Sequence, residues 1–170
     1  DGQYNPENCV ITYTATEKLT SSYLEVGWTT FGPAIISHTF SNGTGTITCG
    51  GEITKIGDMA FAFSGLTSVT IPNSVTTIER MAFYNCSNLT SITIPESVTS
   101  IGEIAFYWCE GLTSIDVDAA NTHYCSIDGV LFNYAKDTLI QYPIGNTRTE
   151  YTVPNSVTTI GEGAFDKCSS

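Results

Sequence analysis

The chain has 170 residues and a mass of 18.3 kDa, which suits one ordinary domain or one block of a repeat array and not a multidomain machine. Charged residues make up only 14%, with six Lys and Arg against 17 Asp and Glu; the net charge of −11 repels phosphate backbones and anionic lipid, so nucleic acid is not an expected partner. No run approaches 18 consecutive apolar residues, so no segment reads as a membrane-spanning helix and no direct membrane insertion is expected. Residue 1 is Asp, no basic-then-apolar leader is present, and the pattern at 164–170 breaks off unfinished, so the sequence reads as a fragment of a longer, exported chain.

Residues 1–46 show no long period. Their Thr/Tyr/Ile-rich runs at 10–15 and 35–40, with an Asn42-Gly43 turn, predict an N-terminal β cap, because the end of a stacked core needs a cover. From residue 47 a repeat of about 23 residues takes over, with leading isoleucines at Ile56, Ile78, Ile101 and Ile160. Each full unit carries an Ala-Phe pair, then a strand signature such as Leu89-Thr90-Ser91-Ile92-Thr93-Ile94, then a Pro that removes a ladder donor and ends the strand. Leucines and isoleucines at positions one, four and six of that run are the strand signature of leucine-rich repeats.

Alternation points Ile92 and Ile94 inward and Ser91 and Thr93 outward. A second short β-branched run precedes each leading Ile, and too few residues remain around Ala-Phe for more than a helical or 3₁₀ turn. The expected fold is therefore an α/β repeat solenoid that is β-rich, with a parallel strand face, short helical or 3₁₀ turns and the N-terminal cap. Phe61, Phe83, Phe106 and Phe165 should stack as an internal ladder, joined by Phe132, since Ile127 and Phe132 keep the offset of five seen for Ile101 and Phe106. Residues 133–143 then leave the template as a turn and an apolar run, so a β-hairpin insertion is expected near 121–150 within the repeat region 47–170.

The joint recurrence of Ala-Phe, Cys, Leu-Thr-Ser-Ile and Ile-Pro-x-Ser-Val-Thr over residues 47–168 resembles the BspA-like leucine-rich repeats of bacterial surface proteins, and 31–57 is similar to the leader preceding such repeats. The departures are Ser64 where later copies have Cys, Glu79 in a Gly position, and the hairpin insertion. The resemblance implies a secreted or cell-surface location and adhesion to an extracellular protein or glycoprotein, host or bacterial.

The residues themselves carry no catalytic constellation. His38 and His123 lie far apart in sequence with no metal-ligand spacing and read as surface histidines, and no phosphate loop or nucleophile elbow occurs. No cofactor and no resident metal are expected; Asp116, Asp118 and Asp128 form the one acidic group with any cation-binding pattern, against a plain solvated edge. Of six cysteines, Cys86, Cys109 and Cys168 share one repeat position and should face inward as unlinked small hydrophobes, while Cys9, Cys49 and Cys125 cannot be paired from sequence.

Two candidate binding surfaces follow. One is the outward strand face of Ser68, Thr70, Ser91, Thr93, Ser114, Asp116 and Thr152, favoured by solenoid precedent although its hydroxyls are not the usual hot-spot residues. The other is an aromatic patch of Tyr84, Tyr107 and Trp108 in the variable positions after Ala-Phe. A non-catalytic binding module is the leading reading, and a structural spacer presenting other domains is the alternative.

Overall fold

The computed structural model describes residues 5–20, 24–25 and 28–168. After a 3₁₀ turn at Pro6–Cys9 come β1 (Val10–Ala15), β2 (Ile35–Ser41), β3 (Thr44–Cys49), β4 (Lys55–Ile56), β5 (Leu66–Thr70), β6 (Thr77–Ile78) and β7 (Ser91–Ile94). Then follow β8 (Ser100–Ile101), β9 (Ser114–Val117), β10 (Tyr124–Ile127), β11 (Val130–Asn133), β12 (Thr138–Gln141) and β13 (Thr159–Ile160). This is a strand-rich leucine-rich repeat fold, in which each of the first three coils contributes a two-residue strand ending at its leading Ile and a longer strand that begins at or shortly after its Leu.

The leading-Ile strands form a parallel ladder, β4–β6–β8, with Ile56 opposite Ile78 and Ile78 opposite Ile101. The longer strands do not form one continuous parallel face, contrary to expectation. Only β7 and β9 pair in parallel, Ser91 opposite Ser114 and Thr93 opposite Asp116. β5 instead joins β1 antiparallel, which extends it into the sheet β2–β3–β1–β5, and no ladder links it to β7. On the far side of β9, the Ile115 N–H donates to Gly129 O at the β10–β11 turn, so that hairpin takes the edge where another coil would sit.

The expected helical character is also absent around Ala-Phe. Those segments are successive tight turns with two left-handed residues each: Met59 and Phe63, Met81 and Asn85, Ile104 and Trp108, Gly163 and Lys167. A helix would aim each N–H back along its own axis; here the alternate N–H groups of Met59, Phe61 and Phe63 donate instead to Arg80, Ala82 and Tyr84 O of the next coil. The same pattern recurs from Met81, Phe83 and Asn85 to Glu103, Ala105 and Tyr107. Left-handed backbone costs a non-glycine residue roughly 1–2 kcal/mol, and these intercoil bonds hold it in place.

Inside the turns, Phe31, Phe61, Phe83 and Phe106 stack at centroid separations of 5.8, 5.4 and 5.5 Å. Phe31, upstream of the repeats, heads the ladder, while Phe132 and Phe165 are not part of it. The reason is register. Thr76, Thr99 and Thr158 N–H donate to Thr54, Thr76 and Asp137 O respectively, which puts Leu139, not Ile127, in the leading-Ile position of the fourth coil. Tyr142, whose N–H donates to Ala164 O as Phe61 and Phe83 do to Ala82 and Ala105, takes the Phe position and stacks on Phe165 at 5.3 Å.

The main core runs from β1 to Ile115 and Leu131, whereas Val130, Phe132, Leu139, Tyr142 and Ala164 form a second cluster. Between them the parallel ladder is broken. Ile101 N–H donates to the Tyr124 hydroxyl at 2.8 Å and not to β12, and a cleft of about 170 Å³ opens between Ile101–Phe106 on one side and Ile140, Gln141, Gly161 and Glu162 on the other.

Glu79 fits the position that is Gly in other coils because its carboxylate has two partners, Lys55 Nζ at 3.0 Å and Asp58 N–H at 2.8 Å. At Gly102 the same position is closed, since a Cβ there would lie 2.4 Å from Arg80 N.

Candidate interaction surface

Each turn sends its first Phe inward, at Phe61, Phe83 and Phe106, and carries its outer side chains just after it. Six and seven residues after the leading Ile stand Ala62-Phe63, Tyr84-Asn85, Tyr107-Trp108 and Asp166-Lys167. The structure brings all the ring-bearing positions together in one row. Phe63 lies 5.1 Å from Tyr84, Tyr84 lies 5.8 Å from Tyr107 and 5.5 Å from Trp108, and Tyr107 and Trp108 are 5.4 Å apart. Tyr84, Tyr107 and Trp108 are half-buried by mutual packing, and Phe63 is 63% exposed at the end of the row.

The opposite end is closed by the chain itself. The fourth coil is short, Leu139 to Pro143, so the last turn reaches past it: Lys167 Nζ sits 4.0 Å over the Trp108 ring and the Tyr107 hydroxyl donates to Asp166. That hydrogen bond raises the Tyr107 hydroxyl above its ordinary value and holds the Asp166 carboxyl below the usual carboxylate range. Gly163 adopts φ +66 beneath the Tyr107 ring, where a Cβ would meet the ring at 2.7 Å.

On the strand side, Ser68, Thr70, Ser91, Thr93 and Asp116 are exposed and Ser114 is half-exposed. Thr70 and Ser68 lie opposite Thr12 and Thr14 of β1, which lengthens the hydroxyl-bearing surface in a direction the sequence did not reveal. Thr152 is exposed but lies in a segment without strand structure, so it is not a fourth rung beside Asp116. Asp116 accepts from Ser114 Oγ at 2.9 Å, Asp118 from Ala120 N–H at 2.9 Å, and Asp128 O from Arg148 at 2.9 Å. These aspartates act separately, and no group of three candidate metal ligands gathers among the described residues.

His38 is not the surface histidine expected. It is half-buried and shares a 2.7 Å hydrogen bond with the Tyr13 hydroxyl. Cys86 and Cys109 are buried, each donating its thiol at 3.0 Å to a carbonyl one coil back, Phe61 O and Phe83 O. The pairing of Val10 with Thr48 brings Cys9 and Cys49 to facing strand ends, and burial together with Cys9 pushes the Cys49 thiol up to about 11. A further residue missed in the sequence is Asn121, buried, whose amide donates to Pro95 and Val98 O while its carbonyl accepts from His123 and Tyr124 N–H. No periodic signal marks it, because it ties a non-repeating segment to the third coil.

A profile of the BspA type leucine-rich repeat region matches in six copies over residues 19–138 and 144–170. The chain belongs to the BspA-type leucine-rich repeat family. Among solved structures it is similar to the pneumococcal vaccine antigen PcpA, with 35% identity and a TM-score of 0.66 over 69% of this chain and 30% of that one. It is also similar to a leucine-rich cell surface protein from Faecalibacterium prausnitzii A2-165, with 38% identity and a TM-score of 0.63 over 68% of this chain and 31% of that one. A leucine-rich repeat protein from Eubacterium ventriosum shares 34% identity, with a TM-score of 0.61 over 68% of this chain and 37% of that one. The chain thus spans about a third of the length of each of these proteins. No curated protein matches it.

Proposed function

We propose that this segment is a non-catalytic binding module of a secreted or cell-surface bacterial protein, that it contacts an extracellular protein or glycoprotein, and that residues 1–46 serve as the cap and 121–150 as a hairpin insertion of its solenoid. The observation that carries the reading is the row Phe63–Tyr84–Tyr107–Trp108, a set of large rings lined up on the outer turns although the adjoining positions of other coils are Ala62 and Asn85. Rings of this kind supply large contact area at little entropic cost. The strand face offers mainly small hydroxyls, and its parallel pairing is confined to β7 and β9.

The test is a binding assay of the parent chain on immobilised collagen, fibronectin, laminin and mucin. The expected result is capture by at least one of them, abolished by Tyr84→Ser with Tyr107→Ser and Trp108→Ser and retained by Thr70→Arg with Thr93→Arg. The reverse pattern moves the site to the strand face. A parent that binds none of the four leaves the structural-spacer reading in its place.

A further inference from the structure

The inner rings of the row face each other. Tyr84 and Tyr107 are inclined by 20° and Tyr107 and Trp108 by 23°, so these faces are already occupied by neighbouring rings. The outer faces of the row lie at its two ends. At one end a face of Trp108 holds Lys167 Nζ, with the Asp166 carboxylate in the same turn bonded to Tyr107. At the other, Phe63 tilts at 58° to Tyr84 and remains 63% exposed. The surrounding turns carry exposed Asp58, Glu103 and Glu110, with the exposed Arg80 in the equivalent position of the coil between Asp58 and Glu103, on a chain of net charge −11. A ring face concentrates negative potential, and a cation within about 6 Å of its centroid is attracted to it, more so with carboxylates alongside.

Building on the reading of this row as the contact surface, we propose that its end faces are seats for cationic side chains, and that the partner presents a Lys/Arg-rich, extended segment to them. The chain's own Lys167 already shows the contact at the Trp108 end, and Phe63 offers the same kind of face with no cation of the described residues over it. A partner lysine or arginine seats on Phe63 and competes with Lys167 for Trp108, while the flanking carboxylates neutralise the remainder of the segment. Acidic partners are repelled by the same charges.

The test uses the intact 170-residue chain and a fluorescein-labelled peptide of alternating Lys and Gly, followed by anisotropy at 0.15 M salt. Two variants borrow residues that the chain itself places in the equivalent positions of other coils: Phe63→Asn, as Asn85, and Tyr84→Ala, as Ala62. Neither changes the net charge, and thermal melts of both check that the fold is kept. The expected result is a loss of roughly 3- to 10-fold in affinity for the double variant, the range of one or two exposed cation–ring contacts. Lys167→Gln, which frees the Trp108 face, should bind about 3-fold tighter than Lys136→Gln, which makes the same charge change at a residue of matching backbone, φ 61 against 59.

Equal affinity of the parent and the double variant would reduce the attraction to net charge and overturn the proposal, as would equal affinity of the two Lys variants. Binding of a neutral N-acetylglucosamine oligomer, lost in the double variant while the peptide is ignored, would also overturn it in favour of a sugar seat. If capture on the immobilised proteins still depends on the three rings when the peptide assay fails, the binding-module reading stands and only the cationic partner falls.

Discussion

His38 shows how one half-buried group couples the fold to pH. Burial, reinforced by the Lys18 charge and opposed by a backbone hydrogen bond at Leu24, holds its imidazole below the ordinary value of 6.5. As pH falls through 6.5 the unfolded chain takes up a proton that the folded chain still refuses, so the folded state loses ground in that window. The melting temperature should therefore drop between pH 7.5 and 5.5, and His38→Gln, which leaves a polar partner near Tyr13, should flatten that part of the profile; a drop of the same size in the variant would assign it elsewhere. The thiols give a second prediction at this scale. Contact with Cys86 and burial push the Cys109 thiol up, contact with Cys109 holds the Cys86 thiol down, and both sulfurs are fully buried and donate to carbonyls, so it is burial that keeps a reagent from Cys86. Thiolates, not thiols, react with alkylating reagents. Iodoacetamide at pH 8 should leave Cys86 and Cys109 unmodified in the folded chain and modify both in denaturant, as read by peptide mass mapping.

At the scale of the element, the Phe ladder sets the cost of losing one rung. Phe106 is 2% exposed and stacks on Phe83 with their planes only 9° apart, while intercoil hydrogen bonds from Phe83 and Asn85 tie its turn to the preceding one. Because those turns cannot collapse inward, Phe106→Ala should destabilise by about 3–5 kcal/mol in a urea titration, and a midpoint like the parent's would contradict a rigid ladder. Much of this element was legible before the structure. The 23-residue step, the inward Ile92 and Ile94 and the burial of Cys86 and Cys109 all follow from periodicity, since one face of a stacked coil must be apolar, whereas Cys168 in the last coil is only half-buried. The turn conformation was not, because Met59, Met81 and Ile104 are poor residues for left-handed backbone and only hydrogen bonds to a neighbouring coil, invisible in one copy, hold them there. The fourth coil was misplaced for a related reason: Ile127 and Phe132 mimic the template spacing by chance, whereas Leu139 and Tyr142 satisfy its hydrogen bonds with a shorter turn. That shorter turn also hid the full candidate site. Tyr84, Tyr107 and Trp108 could be grouped one repeat apart, but Phe63 belongs to the neighbouring position of an earlier coil, and Asp166 and Lys167 arrive only because a coil is skipped.

Over the whole molecule, stability should not be uniform, because stacked coils couple mainly to their neighbours and this stack is interrupted once. The ladder β4–β6–β8 ends at Ile101, the next parallel pair is β12–β13, and the cleft of about 170 Å³ lies between them. The second cluster is small, and Ile160, in the position that is fully buried at Ile56 and Ile78, is 48% exposed. Buried apolar area is the main source of resistance to local opening, so the segment from Leu139 onward should open at a lower free energy than the core built on Phe61 and Phe83. Tyr142→Ala tests this directly, since its ring is the shared contact of Tyr151 and Phe165. Hydrogen exchange should show the amides of Gly161 and Ala164 losing protection in the variant, while those of Phe61 and Phe83 keep theirs; the row should also lose Lys167 from Trp108, because the turn that carries it is anchored through Ala164. Equal loss of protection at Phe61 and Phe83 would mean that the two clusters unfold as one unit and that the break at Ile101 is energetically silent.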